Sequence, residues 1–464
     1  MSDPSPRSLP AVGPMLDRPA LRALVETMGR AAVVDAVREA IAGARKAILA
    51  GTIADPSPES LERSVIQAIA ALPRGLRRTI NATGILLHTG LGRAPLASEA
   101  IEAVASAASG YCDLEFDLAT GERGRRSDGA ASLLRTLTGA EAAAVANNNA
   151  AATILALRAL AFGREVIVSR GELVEIGGSF RLPEIMAASG ATLREVGTTN
   201  RTRLEDYERA IGPETAAVMR VHPSNYRIVG FTESVQIADL AALGRSRGLW
   251  TIDDIGSGAI GPGLPSFARD EPTISEGIAA GADLILFSGD KLLGGPQCGM
   301  IVGRSEAVAK VAADPLMRAM RVDKMTLAAL EATLRLILAA PGRIPLWRLA
   351  TVSADSLFER ATRLAERISR ESNLSCRAEP SEAYLGGGSV PAQSIPSASV
   401  RIGPPWPATS GSEAGFARSL RLGDPAVVPR VQSGAVILDL RAVEPEDDDR
   451  IASAVARVVA GTDL

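Results

Sequence analysis

Apolar residues recur at three- and four-residue intervals from Pro19 to about Leu72. They fall at Leu21, Leu24, Val25 and Met28, then at Val33, Val34, Val37 and Ile41, the spacing of amphipathic helices. The run Asp55-Pro-Ser-Pro-Glu59 interrupts the pattern, and a further helix is expected from about Pro58 to Leu72 with Ser57 or Ser60 as its cap. The basic turn Pro73-Arg-Gly-Leu-Arg-Arg78 closes this unit as a linker. Beyond Ile80 the rhythm changes to short apolar runs, each followed by a glycine-rich or polar turn and a helical stretch, which predicts βαβ units around a mostly parallel sheet. Strands are expected near Ala143–Ala146, Glu165–Ser169, Thr192–Val196, Ala217–Val221, Trp250–Asp253, Leu284–Phe287 and Gly299–Val302. Intervening helices are expected at Asn149–Ala161, Leu204–Ile211, Val235–Arg247 and Glu271–Ala280.

After Gly303 a helix-rich stretch runs through Leu338 to Pro341-Gly342. The remainder mixes helices (Asp355–Ser372, Asp447–Ala460) with strands (Ser397–Ile402, Ala435–Asp439), and the glycines 386–388 are expected in a loop. The pattern therefore divides the chain into a small helical N-terminal domain (1–72), an α/β core with its linker (73–335) and an α+β C-terminal domain (336–464).

A chain of 464 residues with 46% hydrophobic and 22% charged positions exceeds a single binding module and is not a disordered tract. Its net charge of −3 argues against nucleic-acid binding by overall charge, although the first 80 residues are net basic. Three scattered cysteines, Cys112, Cys298 and Cys376, fit neither a disulfide framework nor a zinc site, and suit a cytoplasmic setting. Neither a signal peptide nor a membrane-length apolar run is expected. Only four of the fifty basic residues are lysines, Lys46, Lys291, Lys310 and Lys324, so a lysine outside a surface helix stands out.

Lys291 is that residue. It follows a buried-looking strand in Leu284-Ile-Leu-Phe-Ser-Gly-Asp-Lys-Leu-Leu-Gly-Gly295, a loop that permits close backbone approach and suits a Schiff-base lysine. In parallel sheets ligands gather at the carboxyl ends of strands, and three other strand ends are chemically unusual. At Thr251-Ile-Asp-Asp-Ile-Gly256, Asp254, or alternatively Asp253, could pair with a protonated pyridine nitrogen. Asn147, Asn148 and Asn149 precede a helix whose N-terminal N–H groups would face a phosphate, and Ser288 could add its hydroxyl. Asn225, in Val221-His-Pro-Ser-Asn-Tyr226, is a candidate partner for a phenolic oxygen, and His222 is read as structural. The order phosphate turn, polar strand end, Asp-x-Gly and Ser-x-x-Lys matches the aspartate-aminotransferase-like fold (fold type I) of pyridoxal 5′-phosphate (PLP) enzymes. Gly90-Leu-Gly-Arg93 lacks the third glycine of a dinucleotide fingerprint.

Taken with Asn81-Ala-Thr-Gly84, His88-Thr-Gly-Leu-Gly-Arg-Ala-Pro95, Ser169–Gly178 and Ser224–Gly230, these motifs resemble the bacterial selenocysteine synthase family over nearly the whole chain. The resemblance implies conversion of seryl-tRNA(Sec) to selenocysteinyl-tRNA(Sec) with selenophosphate, through a PLP-bound dehydroalanyl-tRNA intermediate. It makes Lys291 the Schiff-base lysine, Asp290 an aid to proton transfer, and Arg93, Arg318 and Arg321 the selenophosphate ligands, the last two placed i and i+3 on one helical face. It also assigns tRNA binding to residues 1–72, where Arg22, Arg30, Arg38, Arg45 and Lys46 are candidates, and implies a homo-oligomeric ring of dimers, a homodecamer. Rival readings are a related PLP lyase acting on a free amino acid or amino sugar, a cysteine-desulfurase-like enzyme using Cys298, and a non-catalytic tRNA-binding protein.

Overall fold

The computed structural model describes residues 8–52, 57–71, 75–124, 126–176, 180–260, 266–269, 271–408 and 410–461. Parts of the Asp55–Glu59 break and of the Pro73–Arg78 linker lie outside the described residues. The chain forms two compact units, Met1–Arg78 and Thr79–Leu464.

The first unit is helical, with helices Val12–Leu16, Pro19–Met28, Arg30–Leu49 and Pro58–Ala71. Its core collects Leu21, Val33, Val37 and Ile41, as the spacing demands, with Met15, Leu61, Val65 and Ile69. Gly29, at φ 83, takes the left-handed conformation that separates the second helix from the third. Ser57, rather than Ser60, caps the last helix by accepting the Ser60 N–H at 3.2 Å. Arg18 ties this helix down through Glu62 at 2.7 Å and Glu59 at 3.2 Å.

The second unit is built on a seven-stranded sheet. Across it lie Ala142–Ala146, Gly299–Gly303, Leu284–Ser288, Trp250–Gly256, Thr215–Val221, Glu165–Ser169 and Thr192–Val196. All neighbours are parallel except around Gly299–Gly303, which runs antiparallel to both of its partners. Helices cover both faces, so the central strands are buried throughout and read as unbroken apolar runs. All seven strands stand where the apolar runs predict them. The main difference is that Trp250–Gly256 continues three residues further, carrying Asp254 to the rim of the sheet.

A second, five-stranded sheet has the order Thr79–Ala82, Ala426–Gln432, Ala435–Asp439, Ser389–Gly403 and Ser375–Gly386. Three of these strands escape the hydrophobic pattern. Ser375–Gly386 is an edge strand, polar and interrupted by Pro380, a position where proline is tolerated because one side needs no ladder bonds. Thr79–Ala82 is four residues long and pairs parallel with Ala426–Gln432, so the first strand after the linker belongs to the sheet of the C-terminal portion. The glycines 386–388 form the tip of the hairpin between the last two strands of this sheet.

Asp439, fully buried, holds this sheet to the segment that enters the large one. It accepts hydrogen bonds from Ser381 and Ser397, both at 2.8 Å, and pairs with Arg430 at 3.2 Å. Gly84 lies against it at φ 78, where a β-carbon would stand 2.8 Å from the Asp439 carboxyl carbon. Just beyond, the Leu86 and Leu87 N–H groups donate to the Tyr384 and Leu385 carbonyls at 3.0 and 2.7 Å. Among the described residues no helix is long and apolar enough to cross a membrane.

Substituting Gly84→Ala should therefore destabilise the protein by about 2 kcal/mol or more, through backbone strain and collision with Asp439. Gly212→Ala, where a β-carbon meets open space, should change stability by less than about 0.5 kcal/mol. Denaturant midpoints of the two variants check the contrast.

Candidate functional site

Lys291 leaves the carboxyl end of Leu284–Ser288 in a loop held by its own backbone. The Gly289 N–H donates to the Cys298 carbonyl and the Leu292 N–H to Ser257, each at 2.9 Å. The indole N–H of Trp347 reaches the Leu292 carbonyl at 2.7 Å. The lysine is only 5% exposed. Burial lowers its pKa from the ordinary lysine value, and the nearby Arg93 charge adds to that, against the opposing pull of Asp254, Asp290 and Glu271. Its Nζ donates to the Gly388 carbonyl at 3.4 Å, so the hairpin tip of the smaller sheet covers the lysine.

Two glycines keep space open around that amine. A β-carbon on Gly388 would lie 3.3 Å from Lys291 Nζ and 3.5 Å from Ser224 Oγ. One on Gly256 would lie 3.7 Å from Nζ, 3.8 Å from Ser224 Oγ and 3.9 Å from Asp254 Oδ1. Lysine, serine and aspartate thus surround one small space that side chains at either position would fill.

The paired aspartates separate by strand alternation. Asp253 receives a bidentate grip from Arg220, with both bonds at 2.7 Å. Asp254 accepts from Asn149 Nδ2 at 2.9 Å and Thr153 Oγ1 at 3.0 Å, both on the helix Asn149–Ala161. Burial raises the Asp254 pKa, opposed by these two bonds and by the Lys291 charge. Of the two alternatives left by the sequence, Asp254 is the one beside the lysine.

The three asparagines do not share one task. Asn148 caps the helix by accepting the Ala151 N–H at 2.8 Å, and Asn149 is turned to Asp254. Asn147 is exposed, with its backbone N–H on the Met320 carbonyl at 2.7 Å. A side-chain cradle of three amides is therefore not formed. What remains for an anion at this strand end is the helix N-terminus itself, a 13-residue helix lying beside the Asp254 site. Ser288 is buried at the last position of its strand, opposite Gly299.

Asn225 is likewise exposed, its amide donating to the Glu175 carbonyl at 2.7 Å. The neighbouring Ser224 is 1% exposed and is the residue that meets the lysine space. Sequence reasoning fixed on the amide because a lone serine beside Pro223 carries no distinctive signal.

Arg93, at φ 61, sends Nη1 to Asp290 Oδ2 at 2.6 Å, joining the glycine loop to the residue before the lysine. Arg318 is exposed, in the short helix Leu316–Met320, and makes no ion pair among the described residues. Arg321 lies just past that helix in extended conformation, so the two arginines do not share a helical face. Pairing of Arg321 with Ala146 at the strand edge ends the helix early, and its guanidinium lies 3.5 Å from Glu115, which also holds Arg123 and Arg126.

Several buried polar atoms around the lysine lack hydrogen-bond partners: Ser224 Oγ, Ser257 Oγ, Asn149 Oδ1, His222 Nε2, Glu271 Oε2 and, in the hairpin tip, Ser389 Oγ. Buried polar groups are normally satisfied, so such a cluster marks a place that receives a polar ligand. Glu172, in the turn after Glu165–Ser169, is pushed up to about 8 by burial while accepting the Val221 N–H at 3.0 Å. It lines a cavity of about 440 Å³ that His222, Tyr226, Glu271 and Val390 also border. Burial and the Asp290 charge push the Cys298 thiol far up, which leaves it a poor nucleophile.

A buried lysine of depressed basicity, an aspartate beside it, a helix N-terminus and a set of unsatisfied polar atoms fit PLP. Together with the doubly covered, mostly parallel sheet they define a PLP-dependent α/β enzyme. The model of the L-seryl-tRNA selenium transferase family matches residues 79–444, and that of the selenocysteine synthase N-terminal region matches residues 6–45. The chain is 47% identical to the L-seryl-tRNA(Sec) selenium transferase of Solidesulfovibrio magneticus, over 92% of this chain and 93% of that one. It is 46% identical to that of Desulfomicrobium baculatum, over 98% and 99%. Among solved structures, D-glucosaminate-6-phosphate ammonia-lyase shares the fold with a TM-score of 0.57 and 22% identity, over 84% of this chain and all of that one. The chain belongs to the L-seryl-tRNA selenium transferase family.

The two aspartates should respond oppositely to substitution. Asp253→Ala strands Arg220 and should cost about 3 kcal/mol of stability. Asp254→Asn should leave the unfolding midpoint nearly unchanged, while altering the visible spectrum of bound PLP and lowering turnover by about 10²-fold or more. Denaturation curves and absorbance spectra of both proteins check this.

Proposed function

We propose that the chain converts L-seryl-tRNA(Sec) to L-selenocysteinyl-tRNA(Sec), with selenophosphate as the selenium donor, for selenoprotein synthesis. The observation that carries this reading is the near-full-length likeness to L-seryl-tRNA(Sec) selenium transferases, joined to a lysine site equipped for PLP. When bound, PLP acts as an electron sink that acidifies the seryl Cα–H and lets the β-hydroxyl depart.

The chain's own residues have separable tasks. Lys291 would supply the amine that carries the cofactor and then serve the Cα proton from its buried position. Asp254, steadied by Asn149 and Thr153, would pair with the ring nitrogen. The N-terminus of helix Asn149–Ala161, with Ser288, would hold the phosphate. Ser224 takes the role toward the phenolic oxygen first considered for Asn225. Asp290 is positioned for proton transfer but is engaged by Arg93, so an oxyanion that recruits Arg93 also frees Asp290. Arg318 and Arg321 complete the selenophosphate reading, with Glu115 as the group an anion must displace from Arg321.

In the N-terminal unit Arg22, Arg30, Arg38, Arg45 and Lys46 are all exposed, which suits contact with tRNA phosphates. Because the whole chain is slightly acidic, tRNA affinity rests on this local patch and on shared binding by several subunits. A homo-oligomeric ring of dimers in the cytoplasm is the setting proposed for it. The rival lyase on a free amino acid or amino sugar is less supported, since the match at residues 6–45 belongs to selenocysteine synthases.

A single-turnover reaction with seryl-tRNA(Sec) and selenophosphate, with seryl-tRNA(Ser) as control, should release selenocysteine from the first tRNA alone. Bound PLP with neither tRNA reacting would overturn the assignment. Lys291→Ala should lose the visible absorbance of the lysine-bound cofactor. Arg318→Ala should retain water elimination while losing selenium addition by about 10-fold or more; equal loss of both steps would remove Arg318 from the donor site. Deleting residues 1–78 should abolish tRNA retention in a filter-binding assay and leave PLP binding intact.

A further inference from the structure

The hairpin tip over Lys291 is held in an unfavourable conformation. Gly386, Gly387 and Gly388 have φ of 71, 63 and 79, and Val390 has φ 49, a left-handed value that a β-branched residue rarely adopts. A β-carbon on Gly387 would stand 2.7 Å from the Leu87 carbonyl oxygen, so the tip also lies against the segment leading to Arg93. Strain of this kind persists only where surrounding groups fix it.

Glu271 is the fixing group. It is 5% exposed, and Oε1 accepts the Val390 N–H at 2.9 Å. Its other oxygen faces His222 Nε2 at 3.4 Å. Two residues before Val390, the Gly388 carbonyl accepts from Lys291 Nζ. A path therefore runs from a carboxylate of the large-sheet region, through the two successive peptide groups on either side of Ser389, to the lysine amine.

We propose that Glu271 is a positioning residue of the lysine site: by holding the Val390 N–H it sets the Gly388 carbonyl against Lys291 Nζ. One proton of the amine is then directed to the tip, and its lone pair is turned into the space between Gly256 and Ser224. This rests on Lys291 being the reactive amine of the proposed function. It places the control of that amine in the hairpin of the smaller sheet, a part of the chain otherwise without a chemical task. The carboxylate acts as an acceptor, so glutamine, which keeps a carbonyl oxygen, should serve in its place.

The test compares full-length Glu271→Ala and Glu271→Gln with the unaltered protein, free of cofactor. Amide hydrogen exchange should rise about 10-fold or more in peptides spanning 384–391 of Glu271→Ala, without change in the sheet strands. The rate of Lys291 acylation by acetic anhydride, read by mass spectrometry, should rise with it. Glu271→Gln should keep tip exchange near the unaltered value and raise acylation by less than Glu271→Ala does, since it loses only the pull of the Glu271 charge on Lys291. With PLP bound, kcat should fall about 10-fold in the alanine variant with KM for seryl-tRNA(Sec) unchanged, and glutamine should restore it. Unchanged tip exchange in Glu271→Ala, or an equal loss of kcat in both variants, would overturn the proposal. Should the alanine variant unfold, Glu271→Gln decides: native tip exchange and kcat support the proposal, and loss of either overturns it. Exchange and acylation are read without tRNA or selenium, so they stand even if the selenium-transfer reading fails.

Discussion

The burial of one amine governs the design of this site. Taking an ammonium out of water is costly, and the protein meets that cost by surrounding Lys291 with carboxylates at several bearings while Arg93 opposes its charge. The result is a lysine that gives up its proton more readily than one on the surface, in a space from which side chains are excluded at Gly256 and Gly388. Each neighbouring acid is in turn engaged: Asp254 by an amide and a hydroxyl, Asp290 by Arg93, Glu271 by a backbone N–H. The charges are arranged so that none faces the lysine as a freely moving partner, and the geometry of the amine is therefore set by the scaffold.

That scaffold draws on both sheets of the larger unit. The parallel sheet delivers Asp254, Ser288 and Lys291 at adjacent strand ends, which is where parallel topology gathers ligands. The smaller sheet contributes the roof, through a hairpin whose tip reaches the Nζ atom. The first strand after the linker, Thr79–Ala82, is part of the smaller sheet, and the chain then passes Gly84, Leu86 and Leu87 on its way to Arg93. Arg93 and the hairpin tip are consequently fixed by the same backbone ladder. A shift of the smaller sheet would move Arg93 and the lysine's hydrogen-bond acceptor together.

The large sheet was legible because its central strands, buried on both faces, leave apolar runs, and Glu165–Ser169 has its observed limits in the pattern alone, as does Ala435–Asp439 in the smaller sheet. Edge strands do not leave such runs: Ser375–Gly386 alternates polar with small residues and carries a proline. At the site, Lys291 and Asp254 stood out by residue type in an unusual context. Ser224, Ser257, Glu271 and the Gly388 carbonyl did not, since their importance arises from contacts between segments up to about a hundred and sixty residues apart. The asparagine run misled for a related reason. Helix capping and second-layer support of Asp254 use the same residue type as phosphate binding, and only the geometry separates these uses.

The arginines carry the argument one step further. Three were singled out as partners of one oxyanion, yet two of them face carboxylates, Arg93 with Asp290 and Arg321 with Glu115. A carboxylate is a fair substitute for a tetrahedral oxyanion, because both accept a guanidinium fork. These acids hold the two guanidinium groups in place, and an anion of higher charge would have to compete for them. Such an exchange discriminates by charge: a singly charged ion gains little over the carboxylate it replaces, whereas a phosphate-like dianion gains a second charge-assisted bond. Under the proposed function, releasing Asp290 in the same event would set a free carboxylate beside Lys291 only when selenophosphate has arrived, and so would couple the proton chemistry of the site to that second substrate.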